Sequence, residues 1–118
     1  MIRMQLERRA HAVYPDLACP KFFCDFCARP IQQAGLGLYL WDGRLENETY
    51  FAGEPVDVYT VHKGDCDARL CSVMGWYRDD ASTMELATLP VYLAQNMGMR
   101  SRKDWEEARA LADFGGRV

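Results

Sequence analysis

The amino-acid sequence predicts a small α+β protein, and three observations support that prediction. Strand-forming residues occupy 36–41 and 56–61, with a shorter extended segment at 49–51 between them, and the turn signal Asp42-Gly43 follows the first run. Apolar residues recur at helical spacing before the two runs and again after them. At 118 residues the chain can form one compact domain, or a small domain with helical additions, but not two large domains.

The N-terminal segment, residues 1–18, is predicted to contain an amphipathic helix over residues 3–13. Its apolar residues recur at helical spacing and are separated by charged ones; they are Ile2, Leu6, Ala10 and Val13. Pro15 would end such a helix, because the residue before a proline disfavours helical backbone. Arg8 and Arg9 would then lie on a basic face that is either solvated or used as a contact surface.

The most specific feature of the sequence is a set of four residues with zinc-binding side chains. Cys24 and Cys27 are three residues apart, and a tight turn of this spacing can aim both sulfurs at one metal ion. His62 and Cys66 are four residues apart, which on a helix is an angular offset of about 40°, so both would project from one face. Three thiols and one imidazole form a complete tetrahedral ligand set with no position open for a substrate. We therefore predict one structural Zn²⁺ ion.

The order of the elements around these four residues resembles the treble-clef class of zinc fingers. In that class a Cys-x2-Cys turn is followed by a β-hairpin and then by a helix whose first turn holds the second ligand pair. The resemblance places the two-cysteine pair on the turn and the histidine–cysteine pair on the helix, and it covers residues 22–75. It implies a zinc domain at 19–76. Two features depart from the class: Ala28 stands where a glycine would follow the turn, and the hairpin has a long insertion around 45–55.

Other interpretations of the thiols and of the second histidine remain open. A Cys-x2-Cys pair can be a redox centre, and cysteines can also be small buried apolar residues. Cys71 lies about 140° from Cys66 on a helix, so it is expected to be a buried residue outside the site. Cys19 could become a ligand only if His62 were displaced. His11 is expected to be a surface or packing residue of the N-terminal helix.

Helices are predicted on the C-terminal side of the hairpin. The first would begin at His62 or Asp65 and continue to about Met74, with Leu70 and either Val73 or Met74 facing the core. Gly75 would end it, because glycine adopts the left-handed backbone that closes many helices.

The remaining residues, 77–118, are predicted to form a helical hairpin packed on the zinc domain. Residues Ser82–Glu85 have the Ser-x-x-Glu form of a capping box. Pro90 would either kink one helix over 83–97 or open a second helix at its first turn. A second cap at Ser101 would open a helix that ends at the glycine pair near the end of the sequence.

Composition and cysteine content narrow the class of protein. Hydrophobic residues make up 49% of the chain and aromatic residues 12%, so disorder over the whole length is not expected. The sequence has neither a run of eighteen apolar residues nor the apolar core of a secretory signal at its start, which indicates no membrane association and a cytoplasmic location. Five cysteines, an odd number, fit reduced thiols in a reducing compartment better than a disulfide framework.

The distribution of charge bears on possible nucleic-acid binding. The net charge is −3, and residues 31–75 contain three basic against seven acidic side chains. Nucleic-acid-binding domains are usually basic, because phosphate neutralisation supplies most of their affinity. Any nucleic-acid surface would therefore be local, and the candidate is the basic cluster of Arg100, Arg102 and Lys103 at a predicted helix start.

The sequence favours a non-catalytic module that acts as an adaptor or regulator through contacts with another protein. It shows no nucleophile with a base, no glycine-rich phosphate loop and no small-molecule site, so we do not expect an enzyme. A nuclease on the same frame would need a further histidine and an open metal site, and His62 is already a zinc ligand. Trp76 and Tyr77 are candidate anchors for a protein partner, since aromatic residues dominate interface hot spots. The alternative is a nucleic-acid-binding regulator that uses the basic cluster at 100–103.

Overall fold

The computed structural model describes residues 1–8, 16–45, 55–77 and 80–115. The chain divides into two compact units, one made of Met1 with residues 22–89 and one made of residues 2–21 with 90–118. The secondary structure is mixed α+β, as predicted. All four predicted metal ligands belong to the first unit.

A three-stranded antiparallel sheet forms the centre of the first unit, in the order β4-β3-β5. Its strands are β3 (Gly37–Asp42), β4 (Tyr59–His62) and β5 (Ala81–Glu85). Leu38 of β3 lies opposite Val61 of β4 on one side and Glu85 of β5 on the other. Strands β3 and β4 overlap the predicted runs 36–41 and 56–61, although β4 begins at Tyr59 rather than at 56. The predicted extended segment at 49–51 lies outside the described residues. The insertion at 45–55 lies almost entirely outside the described residues.

Helix α1 (Asp65–Met74) follows β4 and ends where the sequence predicts. Gly75 adopts left-handed backbone with a φ of 72°. The amides of Gly75 and Trp76 donate to carbonyls of the preceding turn at 3.2 and 2.8 Å, which is the Schellman arrangement. This reversal of the chain turns Trp76 back onto the core, where it is only 7% exposed.

The core of the first unit lies between the sheet, α1 and the two-cysteine turn. Leu40, Val61 and Cys24 are fully buried, and Leu70 of α1 is nearly so, as expected. The expectation that Val73 or Met74 also faces the core is wrong, because both side chains are exposed. Cys24 is therefore both a core residue and a predicted metal ligand.

Gly37, the first residue of β3, has no room for a side chain without movement of its neighbours. A Cβ atom there would lie 2.7 Å from Leu86 Cδ2 and 3.0 Å from Ile31 Cγ2, which is closer than side chains normally pack. At Gly35, by contrast, a Cβ atom would meet no described atom within 4 Å. The absence of a side chain matters at the first glycine and not at the second.

Strand β5 replaces a predicted helix start. The sequence pattern at Ser82–Glu85 predicts a capping box and allows a helix over 83–97, but these residues pair with β3 instead. Met84 lies opposite Tyr39, whose hydroxyl donates to the Met84 sulfur at 3.0 Å. The prediction is wrong because the free edge of β3 offers a ladder of backbone partners, and this tertiary pairing outweighs a local cap signal.

The second unit contains a two-stranded sheet made of β1 (Ile2–Arg8) and nearly all of β2 (Asp16–Phe22). The predicted N-terminal helix is therefore wrong for residues 3–8, while residues 9–13 lie outside the described part of the chain. Ile2, Met4 and Leu6 are all exposed and alternate with the period of a strand. The spacing of four between Ile2 and Leu6 suits both periods, and pairing with β2 selects the strand.

Two helices, α2 (Leu89–Asn96) and α3 (Arg102–Gly115), form the predicted C-terminal pair. Pro90 lies in the first turn of α2, so it opens a helix and does not kink a longer one. Gly98, with a φ of 85°, lies in the connection to α3. Among the helices of the described residues, none is long and apolar enough to cross a membrane.

Helix α3 begins with a reciprocal cap, as its sequence predicts. The Asp104 amide donates to Ser101 Oγ at 3.1 Å, and Asp104 Oδ2 accepts from the amides of Ser101 and Arg100 at 3.0 and 3.1 Å. The Ser101 amide, the Ser101 hydroxyl and the Arg100 amide together hold the pKa of Asp104 below its usual value. The cap satisfies amides at the helix start that have no partner within the helix.

Candidate metal centre

The two-cysteine turn is closed by backbone hydrogen bonds. Phe23 and Pro30 form an isolated antiparallel bridge, and inside it the Cys24 amide donates to the Arg29 carbonyl at 2.9 Å. The Cys27 amide points at Cys24 Sγ, 3.5 Å away. This turn holds the first two thiols on one side and directs a backbone N–H at one of the sulfurs, as in many two-cysteine metal turns.

Ala28 occupies a position at which the backbone is strained. Its φ is 63°, in the left-handed region, and its amide donates to the Cys24 carbonyl at 2.9 Å. An L-residue with a Cβ atom pays about 1 kcal/mol or more for this conformation, whereas glycine does not. The residue that departs from the treble-clef pattern in sequence therefore keeps the backbone conformation that a glycine would have.

Asp25, between the two cysteines, connects the turn to β4. Its Oδ2 accepts from the Thr60 amide at 2.7 Å and from the Met1 amino group at 3.0 Å. The Asp25 amide in turn donates to the Thr60 carbonyl at 2.7 Å, and the Thr60 hydroxyl donates to the Phe23 carbonyl at 2.8 Å. These bonds fix the turn beside the strand that ends in His62.

The four predicted ligands come together in one cluster. Their candidate donor atoms, which are Cys24 Sγ, Cys27 Sγ, Cys66 Sγ and a ring nitrogen of His62, all lie within 4.8 Å of one another. His62 is the last residue of β4 and Cys66 the second residue of α1, so the strand and helix boundaries place them side by side. The arrangement could hold a metal ion, in agreement with the sequence-based assignment of these four residues.

One distance within the cluster can be compared with metal geometry. Cys27 Sγ lies 3.4 Å from His62 Nδ1. In a tetrahedral site with Zn–S of about 2.3 Å and Zn–N of about 2.0–2.1 Å, the corresponding edge is about 3.6 Å. The two atoms are therefore spaced as ligands of a single ion.

The two ring nitrogens of His62 have different partners. Nδ1 faces the thiols, whereas Nε2 lies 3.2 Å from the Pro30 carbonyl oxygen. A carbonyl can only accept, so Nε2 carries the proton and donates, which leaves the Nδ1 lone pair free for a metal. In metal sites, a ligating histidine commonly donates its other ring N–H to a backbone carbonyl, which fixes the orientation of the ring.

The thiols differ in their tendency to ionise. Burial raises the pKa of Cys27, but the backbone amide of Arg29 and hydrogen bonds with neighbouring side chains outweigh it and lower that pKa to about 6. Burial, followed by hydrogen bonds and charge repulsion from Cys24 and Cys27, raises the pKa of Cys66 to about 11. Thiolates crowded within one site disfavour one another, and a divalent cation would remove this penalty.

The other two cysteines, both described, are not part of this cluster. Cys71 lies partly buried against the core, and its Sγ is 3.8 Å from Asp67 Oδ1; burial and the Asp67 charge raise the Cys71 pKa. Cys19 is described and does not belong to the group of candidate ligands. His11 lies outside the described residues. The expectation that Cys71 is a packing residue agrees with its place beside the core.

The candidate partner residues differ in accessibility. Trp76 packs edge-on against Tyr59 in the core, so it is not a surface anchor as the sequence suggests. Tyr77 is 84% exposed and keeps that role as a prediction. Arg102 pairs with Glu106 at 2.9 Å, and Lys103 approaches Glu107 at 3.9 Å, so two of the three basic candidates have acidic neighbours on their own helix.

Two contributors to the site escape prediction from sequence, namely Asp25 and the Pro30 carbonyl. Their partners, Thr60 and His62, lie more than thirty residues further along the chain, so no local pattern indicates either contact. The only local signal is an acidic residue between two cysteines, which is equally typical of an exposed loop.

Comparison with known proteins gives no relative: no family model, no curated protein and no solved structure matches this chain.

Proposed function

We propose that Cys24, Cys27, His62 and Cys66 bind one structural Zn²⁺ ion in a domain of treble-clef type. The observation that supports this is the convergence of three thiols and one imidazole nitrogen within 4.8 Å. Thiolate and imidazole ligands select zinc over calcium and magnesium, which prefer oxygen. Four protein ligands complete the tetrahedron, so the ion stabilises the fold and is closed to substrate.

The elements around the site also support the treble-clef proposal. The two-cysteine turn, the β3–β4 hairpin and helix α1 occur in the order of that class, with one ligand pair on the turn and the other at the strand–helix junction. Strand β5, which extends the hairpin to three strands, is an addition to the pattern.

Metal analysis of matched variants tests the zinc site. The chain as isolated should contain one zinc ion, and Cys66→Ser should lose it together with the cooperative thermal transition, since zinc binding supplies about 10 kcal/mol or more to such domains. Cys71→Ser is the matched control, because it changes a cysteine of the same helix outside the cluster and should keep the metal. Cobalt substitution should give the visible absorption of a tetrahedral thiolate site. Zinc retained in Cys66→Ser, or lost equally in Cys71→Ser, would refute the assignment.

We further propose that this zinc-stabilised module is not an enzyme and acts as an adaptor or regulator through contacts with another protein. A closed metal site has no catalytic position, so function would depend on the surface. That surface has large apolar side chains that are more than two-fifths exposed, including Tyr77, Val91, Tyr92 and Trp105. Exposed aromatic and aliphatic residues in close succession are typical of interaction sites.

Affinity capture with nuclease treatment tests this proposal. The zinc-loaded chain should retain a protein partner after nucleic acid has been digested, and Tyr77→Ala should be compared with wild type for loss of that partner. Recovery of nucleic acid alone would favour the second candidate, a nucleic-acid-binding regulator that uses Arg100, Arg102 and Lys103. In that case the affinity should fall steeply with salt. The ion pairs of Arg102 and Lys103 with acidic residues of α3 make this candidate the weaker one.

A further inference from the structure

Helices α2 and α3 border a groove with an apolar floor. At one end is a cleft of about 430 Å³, lined by Val91, Met99 and Trp105 together with the polar residues Gln95, Asn96 and Arg100. At the other end is a shallower cleft of about 650 Å³ along α3, lined by Met99, Trp105, Ala108 and Ala112. The two clefts share Met99 and Trp105, so they meet at the indole ring. We call this surface the arginine groove, because three arginines also line it, namely Arg100, Arg102 and Arg109.

The spacing along α3 explains why the floor is apolar. Trp105, Ala108 and Ala112 are three and four residues apart, so they form one stripe along the helix. Both alanines lie on the C-terminal side of the ring and keep the stripe low there, while Trp105 is 46% exposed. A large aromatic side chain beside small ones forms a step against which an apolar side chain of a partner can pack.

The charge on the rim is positive, although the protein as a whole is acidic. Arg102 is paired with Glu106, which also lines the groove. The guanidinium groups of Arg100 and Arg109 form no ion pair with any described carboxylate. Asp104 lines neither cleft and is occupied in accepting backbone amides at the helix start. The residues that line the two clefts therefore include three arginines and one glutamate, so the lining is net positive.

We propose that the arginine groove binds an acidic, amphipathic peptide segment of a protein partner, with an apolar side chain against Trp105 and carboxylates at Arg100 and Arg109. The proposal rests on the proposed adaptor function and names the class of partner. Charge complementarity supports an acidic occupant, and the apolar floor between the arginines supports a peptide. A phosphate backbone would satisfy the arginines but would leave the aliphatic floor facing polar groups.

Selection from a random peptide library displayed on phage, with the zinc-loaded full-length chain as bait, tests this proposal. Enriched peptides should combine Asp or Glu with Leu, Phe or Trp, and one of them is then labelled for anisotropy measurements. Trp105→Ala should weaken its binding by about thirtyfold, the loss typical of a hot-spot residue. Arg109→Gln should weaken it by about fivefold.

Lys103→Gln is the matched control for Arg109→Gln. It also removes one positive charge from α3, but Lys103 lies about 160° around the helix from Trp105 and lines neither cleft. Binding should therefore be unchanged within about twofold. Equal effects of Arg109→Gln and Lys103→Gln would overturn the groove, because they would reveal only a general response to net charge. Because Arg109 is exposed, the comparison remains decisive even if Trp105→Ala loosens the helix pair.

The remaining outcomes separate this proposal from the function on which it rests. Selected peptides that bind with wild-type affinity to Trp105→Ala and Arg109→Gln overturn the groove, but they leave a protein-binding adaptor that uses another surface. Enriched peptides without acidic residues overturn the charge argument. Labelled single-stranded or duplex DNA that binds at physiological ionic strength and depends on Arg100 and Arg109, with no peptide enriched, overturns both the groove proposal and the adaptor function.

Discussion

Asp25 offers the sharpest test of how the metal turn is held against the sheet. Its carboxylate accepts a hydrogen bond from the Thr60 amide at 2.7 Å, and Thr60 is buried. Asp25→Ala removes that acceptor and leaves a buried N–H without a partner, which costs about 1–3 kcal/mol. The ion pair between Asp25 and the Met1 amino group is partly exposed, so it contributes less to the free energy of unfolding than the Thr60 hydrogen bond does. We expect the free energy of unfolding of the zinc-loaded chain to fall by about 3 kcal/mol.

Asp25→Asn separates the two parts of this effect. The amide oxygen of asparagine can still accept from Thr60, but the charge that attracts the Met1 amino group is lost, so a loss of about 1 kcal/mol is expected. Asp57→Ala is the control, because Asp57 is exposed and should change stability by less than about 0.5 kcal/mol.

Urea denaturation of the zinc-loaded variants, with linear extrapolation to water, measures these differences. Chelator competition gives an independent reading, since zinc binding is coupled to folding and a loss of about 3 kcal/mol weakens apparent affinity about a hundredfold. If Asp25→Ala were no more damaging than Asp57→Ala, the carboxylate would not fix the turn. If Asp25→Asn were as damaging as Asp25→Ala, the charge and not the Thr60 bond would be the main contribution.

Three further predictions concern the backbone and the helix cap. Ala28→Gly should raise the free energy of unfolding, measured by urea denaturation, by up to about 1 kcal/mol because it relieves the strain of left-handed backbone. The control Ala110→Gly, in the exposed middle of α3, should instead lower the stability of the helix by about 1 kcal/mol. Destabilisation by Ala28→Gly would contradict the strain argument. Gly37→Ala should lower the free energy of unfolding by about 1–3 kcal/mol, because the added methyl group meets two side chains. Gly35→Ala should leave that free energy unchanged or raise it. Equal shifts of the melting temperature in the two variants would show that the close approach at Gly37 is unimportant. The pKa of Asp104 is lower in the folded chain than in the unfolded chain, so its cap contributes fully to stability above the unfolded pKa of about 3.9 and is lost as the pH falls through the folded pKa. The NMR chemical shifts of the two amide protons that donate to Asp104 should change together, with a midpoint below about pH 3.9. A midpoint at or above about pH 3.9 would contradict the cap.

The metal ligands could be predicted from the sequence because their chemistry imposes spacing on the chain. Cys24 and Cys27 must share one turn, and His62 and Cys66 must lie at one strand–helix junction, so each pair is visible within five residues. Gly75 was equally informative, because the left-handed backbone that ends α1 favours one residue type. In each case a local physical requirement leaves a local pattern.

The incorrect assignments arose where the deciding contact was distant in sequence. The period-two alternation of Ile2, Met4 and Leu6 was present, but a helical spacing could be drawn through the same segment, and only pairing with β2 selects the strand. Residues 82–85 match a capping box letter by letter, yet they pair with β3, some forty residues earlier in the chain. Trp76 was predicted as a surface anchor, although its position directly after the helix-ending glycine turns it inward.

The small core and the metal site of the first unit depend on each other. Among the described residues, the largest fully buried side chains are Leu40, Val61 and Cys24, which is a small apolar contribution for a unit of this size. The candidate ligands lie on the two-cysteine turn, at the end of β4 and at the start of α1, so one ion would join three segments whose closure by apolar contacts alone would be costly. Cys24 belongs to both, because its side chain packs in the core and its sulfur faces the site. The second unit contributes none of the four candidate ligands.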